Sequence, residues 1–74
     1  MLLEELMRVT SSNLADINYD TSSGNLIIVF NSGPTYIYYR VSSVIYRDLL
    51  AARSKGRFFD RFIRKGGYAY QRIG

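Results

Sequence analysis

The hydrophobic pattern of this chain changes from strand-like to helical period between Val41 and Ser42, and that switch constrains the fold more than any other feature. Upstream, "LADINYD" (14–20) sets Ala15, Ile17 and Tyr19 against Asp16, Asn18 and Asp20. Period two is the mark of a half-buried strand. "LIIVF" (26–30) is a short apolar run rich in β-branched residues, as in a central strand, and "TYIYYRV" (35–41) reads as a third. The stretches between them, "TSSGN" (21–25) and "NSGP" (31–34), are built from turn formers. Spacings this short predict an antiparallel meander.

Downstream the pattern becomes helical. "SSVIYRDLLAAR" (42–53) offers Ser42 or Ser43 as an N-cap, and Ile45, Leu49 and Ala52 follow at i, i+4 and i+7. "SKG" (54–56) breaks or bends this helix, and "RFFDRFIRK" (57–65) resumes helical spacing until "GG" (66–67) stops it. "YAYQRI" (68–73) alternates again, as a C-terminal edge strand would. The expected architecture is α+β: a small antiparallel meander covered by two short helices near 43–53 and 57–65. Strand three would bury its aliphatic face, Ile37, Tyr39 and Val41, and turn Tyr36, Tyr38 and Arg40 the other way.

Seventy-four residues make one domain, 1–74, with a thin core, since a chain of this size buries only about 60% of the surface it exposes unfolded. The leader, residues 1–8, carries Leu2, Leu3, Leu6 and Met7 and is a candidate interface; a homo-oligomer is expected. Cysteine is absent, which removes disulfides and thiolate metal sites; histidine is absent too, which removes the usual general base and the commonest metal ligand. Neither a metal nor another cofactor is expected. No apolar run approaches the roughly 18 residues of a membrane span, and "MLLEELMRV" lacks the basic start of a signal peptide. These features predict a cytoplasmic protein, in the host cytoplasm if phage-encoded, with no membrane partner.

The charge is uneven. Residues 53–65 hold six cations against one acid, a window of +5, while the rest of the chain holds four against five. An α-helical wheel puts Phe58, Phe59, Phe62 and Ile63 on one face, spanning about 140°. Arg57, Arg61 and Arg64 fall within about 60° on the other side. Such a ladder grips phosphates bidentately or is merely a solvated face. Ser54, Lys55 and Gly56, ahead of a helix, offer a hydroxyl, a cation and approachable backbone donors. They read as a small anion site or as a hinge with a cap serine. Ser11, Ser12 and Asn13 can bond a base or sugar, or the backbone of a turn. Tyr36, Tyr38 and Arg40 present two phenols and a guanidinium on which a base can stack, or they pack under a helix.

The residues "SSN" (11–13), Tyr19-Asp20, "YIY" (36–38), "SKG" (54–56), Phe59, Tyr68 and Tyr70, in this order and spacing, resemble the KTSC domain. That domain is named for its place at the C-terminus of some lysyl-tRNA synthetases and is also found alone in small bacterial and phage proteins. The likeness runs from Val9 to Ile73, with one departure at Ser42, where the family usually has proline. It implies the family's fold and the RNA binding suggested for that family. The reading at this level is a non-catalytic module for phosphate-bearing nucleotides. The ligand is RNA or a small signalling nucleotide that the protein sequesters, as a phage anti-defence sponge would. A protein-interaction or oligomeric adaptor is the alternative, and a RelE-like metal-independent ribonuclease a further one.

Overall fold

The computed structural model describes residues 14–74; the leader and Ser11, Ser12 and Asn13 lie outside the described residues. Four strands, β1 (Leu14–Tyr19), β2 (Leu26–Phe30), β3 (Thr35–Tyr38) and β4 (Tyr70–Arg72), form one antiparallel sheet in the order β1-β2-β3-β4. Between β3 and β4 the chain makes a helix α1 (Ser43–Ala51), then a short helix α2 (Lys55–Phe58) that runs directly into a π-helical turn, Phe59–Arg64. The meander, the two helices and the C-terminal edge strand are thus all present, within two to three residues of the expected ends.

Register decides which sheet face is covered. Leu26 pairs with Tyr38 and Ile28 with Tyr36, so these four side chains share one face. The helical segment closes that face: Leu26, Ile28, Tyr38, Val41, Leu49, Phe59 and Ile63 make the buried core. This corrects the expected orientation of β3. Tyr38 is buried, while Ile37 and Tyr39 on the opposite face are only half-buried. The aliphatic character of Ile37 was a poor guide, because β2 commits its fully buried Leu26 and Ile28 to the Tyr36/Tyr38 side. The tyrosine rings fit there as edges against aromatic partners: Tyr38 meets Phe59 edge-on at 5.3 Å between centroids.

Strand β3 also ends sooner than its alternation suggests. Arg40 adopts φ 59°, the left-handed region, which ends the alternation of faces beyond Tyr38. The turn is clamped from the β1–β2 loop. Val41 donates its amide to the Gly24 carbonyl at 2.8 Å, and the Tyr19 hydroxyl donates to the Val41 carbonyl at 2.6 Å. Gly24 itself has φ 79°, and a Cβ there would lie 3.1 Å from the Val41 oxygen, so both conformation and space call for glycine. The same clamp buries Val41 in the core.

Helix α1 follows its sequence pattern. Ser42 is the N-cap, accepting the Ile45 amide at 3.2 Å; Leu49 is fully buried and Ile45 half-buried beside it. Tyr46 stacks on Tyr19 of β1 at 4.3 Å, fastening the helix to the sheet's first edge. The second helical segment departs from its pattern. From Phe59 it is wound as a π-helix, with Lys65 donating to the Asp60 carbonyl five residues back. A Cβ on Gly66 would collide with the Phe62 carbonyl, which fixes the stop that follows.

Candidate functional site

The π-helical turn redistributes the basic ladder. An α-helix advances 100° per residue and would leave Arg64 about 140° from Phe59, beside Arg61. A π-helix closes its hydrogen bonds one residue further on and advances roughly 80° per residue. Five such steps bring Arg64 to within about 40° of Phe59, and three open the angle from Arg61 to Arg64 to about 120°. Two expectations are corrected for this one reason. Phe62 leaves the core face and is 45% exposed, and Arg57, Arg61 and Arg64 do not form a single ladder.

Arg64 instead lines a cleft of about 290 Å³ whose other walls are Phe30, Tyr36, Tyr38 and Tyr70. Tyr38 and Tyr70 lie nearly parallel, 5.5 Å apart and inclined by 26°; Tyr36 sits 6.0 Å from Tyr70 and 6.3 Å from Tyr38. Phe30 closes the far side edge-on to Tyr36 at 5.9 Å. Each wall has a cause. Phe30, Tyr36 and Tyr38 project from adjacent strands on the core face, and Tyr70 is the register partner of Tyr38 on β4. The Tyr38 phenol is held above its ordinary value of 10.0, chiefly by burial and further by Tyr36 and Tyr70; the Arg64 charge opposes the rise.

Arg64 also pairs with Asp60 across one turn, through both its Nε and a terminal nitrogen, and Lys65 lies 3.4 Å from the other Asp60 oxygen. The Asp60 carboxyl is lowered from its ordinary value first by the Arg64 hydrogen bond and then by Lys65. Asp60 therefore orients the guanidinium, and both charges remain largely in contact with water.

The remaining residues singled out from the sequence are distributed elsewhere. Arg57 and Arg61 are exposed, and Arg61 lies over the Phe62 ring at 5.3 Å. Ser54 caps α2 by accepting the Arg57 amide at 3.3 Å; the Lys55 ammonium reaches the Ala52 carbonyl at 3.5 Å, and Gly56 is buried in the first turn. This trio sits at the bend between α1 and α2, apart from the aromatic cleft lining. Arg40 does not join Tyr36 and Tyr38, contrary to the expectation from strand alternation. Its left-handed backbone directs it to a second, larger cleft of about 660 Å³ that also involves Ser23, Asn25, Tyr39 and Tyr68.

Two walls, Phe30 and Tyr70, are not among the site residues expected from the sequence, although Tyr70 is one of the residues that carry the family resemblance. Both carried a signal. Phe30 has the parity of Leu26 and Ile28 within one strand, and Tyr70 belongs to the alternating "YAYQRI" segment. What pattern alone did not supply was the pairing of β4 with β3, which sets Tyr70 against Tyr38.

Comparison with known proteins places this architecture. The model of the KTSC domain matches residues 10–70. A solved KTSC domain protein from Yersinia pestis superposes with a TM-score of 0.74 at 39% identity, covering 82% of this chain and 84% of that one. A protein from Tsukamurella paurometabola is 39% identical over 56 residues, 76% of this chain and 84% of its own length. A lysine–tRNA ligase from Trichormus variabilis is 31% identical over 68 residues, 92% of this chain but only 12% of the ligase. A family model spanning most of the chain, with the same fold in a solved relative, shows that this chain belongs to the KTSC domain family.

Proposed function

We propose that the protein is a non-catalytic binding module for phosphate-bearing nucleotides, and that the cleft between Tyr36, Tyr38, Tyr70 and Arg64 is its site. One observation carries this reading: the Arg64 guanidinium lines an aromatic cleft to which Tyr70 contributes a 60% exposed ring and Tyr36 a half-buried one. Flat π-faces accept a base of any identity, and a planar five-donor fork matches a phosphate. The +5 window supplies attraction at longer range, with Arg57 and Arg61 available to further phosphates. Likeness to a segment of lysine–tRNA ligases supports an RNA ligand; the small volume of the cleft suits a single nucleotide unit.

The test is direct. Nucleotide released from purified protein by heat is identified by mass spectrometry, and the compound found is titrated back at about 50 and 200 mM salt. Bound nucleotide whose affinity falls with salt sustains the reading. Salt-independent binding, or no nucleotide released and none bound, overturns it.

A second reading has its own observation. Val44, Leu50, Phe62 and Ile73 are each between 44% and 52% exposed, and the sheet face carrying Ile27, Val29 and Ile37 is only half-buried. Apolar surface of this kind favours a self-associating adaptor. A monomer by light scattering at high micromolar concentration removes it.

A further inference from the structure

The second cleft is built around a conformational anomaly. Arg40 occupies the left-handed region at φ 59°, a position that turns ordinarily fill with glycine or asparagine. Hydrogen bonds on both sides hold it there: Tyr39 donates its amide to the Ala69 carbonyl at 2.9 Å, and Val41 donates to the Gly24 carbonyl at 2.8 Å. A turn alone is served as well by glycine, without the cost of a Cβ in this region. An outlier of this kind asks what its side chain does. What arginine adds is an exposed residue with a guanidinium, lining a cleft of about 660 Å³.

Arg40 is also uncommitted. Asp60 holds Arg64, the Gly74 carbonyl holds Arg72, and Arg61 lies over the Phe62 ring. The Arg40 side chain makes neither an ion pair nor a hydrogen bond among the described residues. The carboxylate of the β1–β2 loop, Asp20, is engaged by the Ser22 amide and hydroxyl at 3.0 and 2.8 Å, and no described carboxylate lines the cleft. Two further donors line it without a hydrogen-bond partner among the described residues, the Asn25 carboxamide and the Tyr68 hydroxyl. The walls themselves are fixed. The Asn25 amide donates to the Ser23 hydroxyl at 3.1 Å, the Asn25 carbonyl accepts from Asp20 at 3.0 Å, and the Tyr39 hydroxyl donates to Gln71 at 3.1 Å. A lining of free donors with no anion of its own calls for a ligand rich in acceptors and negative charge. A terminal phosphate brings three acceptor oxygens and nearly two charges, more than a carboxylate brings.

We propose that the Arg40 cleft is an anion site separate from the aromatic one, built for the terminal phosphate of a small phosphorylated compound, with Arg40 as the phosphate-binding fork and Asn25 and Tyr68 as further donors. It does not rest on the nucleotide reading of the first cleft. Tyr38 and Tyr70 share the helix-covered face of the sheet, whereas Tyr39 lies on the opposite face over Gln71, so each cleft takes its own ligand. The shared chemistry, a phosphate monoester on a sugar, occurs in mononucleotides and in phosphorylated sugars.

The experiment follows the backbone amides of the isotope-labelled full chain by NMR as ribose, ribose 5-phosphate and adenosine 5′-monophosphate are added in turn. Ribose 5-phosphate should shift the amides of Asn25, Arg40, Tyr68 and Ala69 saturably, and ribose should not. Arg40→Gly suits the left-handed backbone and removes the guanidinium, so it should melt no lower than wild type. It should weaken ribose 5-phosphate about tenfold or more, the worth of one charge-assisted contact. Arg40→Asn, which also tolerates this conformation, should do the same and so separates loss of charge from any effect of glycine on the turn. Arg64→Ala should leave the affinity at these amides within about twofold. Tighter binding of adenosine 5′-monophosphate than of ribose 5-phosphate at these amides identifies a nucleotide, and equal binding a phosphorylated sugar; both sustain the site. No saturable shift of these amides with either phosphorylated compound, or Arg40→Gly and Arg40→Asn variants that bind within about twofold of wild type, overturns it. A response here to adenosine 5′-monophosphate with none at Tyr36 and Tyr70 sustains this site and counts against the nucleotide reading of the first cleft.

Discussion

Helix α1 and the segment from Lys55 to Arg64 are of similar length, both begin at a capping serine, and both cover the same sheet face. They differ in winding. Helix α1 stays α-helical to its end and buries Leu49 with Ile45 on one side. The second segment changes pitch after one turn, and its residues separate into three directions: Phe59 and Ile63 inward, Arg64 toward the aromatic cleft, and Arg61 with Phe62 outward. A regular helix has one face to give to a core and one to water. Changing the pitch part-way gives the second segment a third face, and that is the one on which the candidate site depends. π-Helical turns recur at functional sites in proteins generally, in keeping with this division.

The strongest way to break this comparison is to empty each helix of its main anchor. Phe59 is 3% exposed and meets both Phe30 and Tyr38 edge-on. Phe59→Ala should cost about 3–5 kcal/mol in urea unfolding, and Leu49→Ala about 2–5 kcal/mol. If Phe59→Ala is the milder of the two, the second segment contributes less to the fold than its contacts indicate. Next in size is the separation of the arginines. Arg64→Ala should weaken nucleotide binding by roughly 10- to 150-fold, the loss of a charge-assisted contact. Arg57→Ala and Arg61→Ala should each weaken it by only a few-fold and flatten its salt dependence, as expected of long-range attraction. Equal losses at all three positions would mean that the ladder acts as one face and that the pitch change has no role in binding.

Smaller effects sharpen the picture. Ser42→Ala removes the cap of α1 and should cost about 1 kcal/mol, read as a lower urea midpoint. Ser54→Ala should cost about as much if the short α2 depends on its cap to the same degree. Smallest is the alkaline dependence of Tyr38, whose phenol is raised in the folded state. Its stabilising effect is fully present below the unfolded value near 10 and is lost as pH rises through the higher folded value. Stability should therefore decline above about pH 10, and Tyr38→Phe should lessen that decline. A variant that loses stability at high pH as steeply as wild type would assign the effect to another group.

The elements were legible because each had a local cause. Period two marked β1, the β-branched run marked β2, and a serine followed by i, i+4 spacing marked α1. The inward face of β3 was not legible. Composition favoured Ile37, but the choice lay in the register with Leu26 and Ile28, a contact between strands. The winding of residues 59–64 was hidden for a related reason: "FDRFIR" fits a helical wheel, and nothing in its spacing shows which helix is meant. Tyr36 and Tyr38 stand out together in the sequence and Arg64 in a separate group with Arg57 and Arg61, and their meeting in one cleft follows from the pitch change and from β4. Arg40 falls outside the expected grouping because β3 ends at Tyr38, two residues earlier, and the backbone is left-handed at Arg40 itself.

The pairing of Tyr36 with Arg72 has a kinetic consequence. β1, β2 and β3 are joined by tight turns and can zip together locally, whereas β4 must wait for the whole helical excursion to close before it finds β3. It is three residues long, exposed throughout and on the sheet's edge. Such a strand is the first to open in native-state exchange, so the amides of Tyr70–Arg72 should trade deuterium well before those of β2. Tyr70 would travel with it. With β4 open, the cleft would lose Tyr70 while Phe30, Tyr36 and Tyr38 stay with the meander and Arg64 with the π-helical turn.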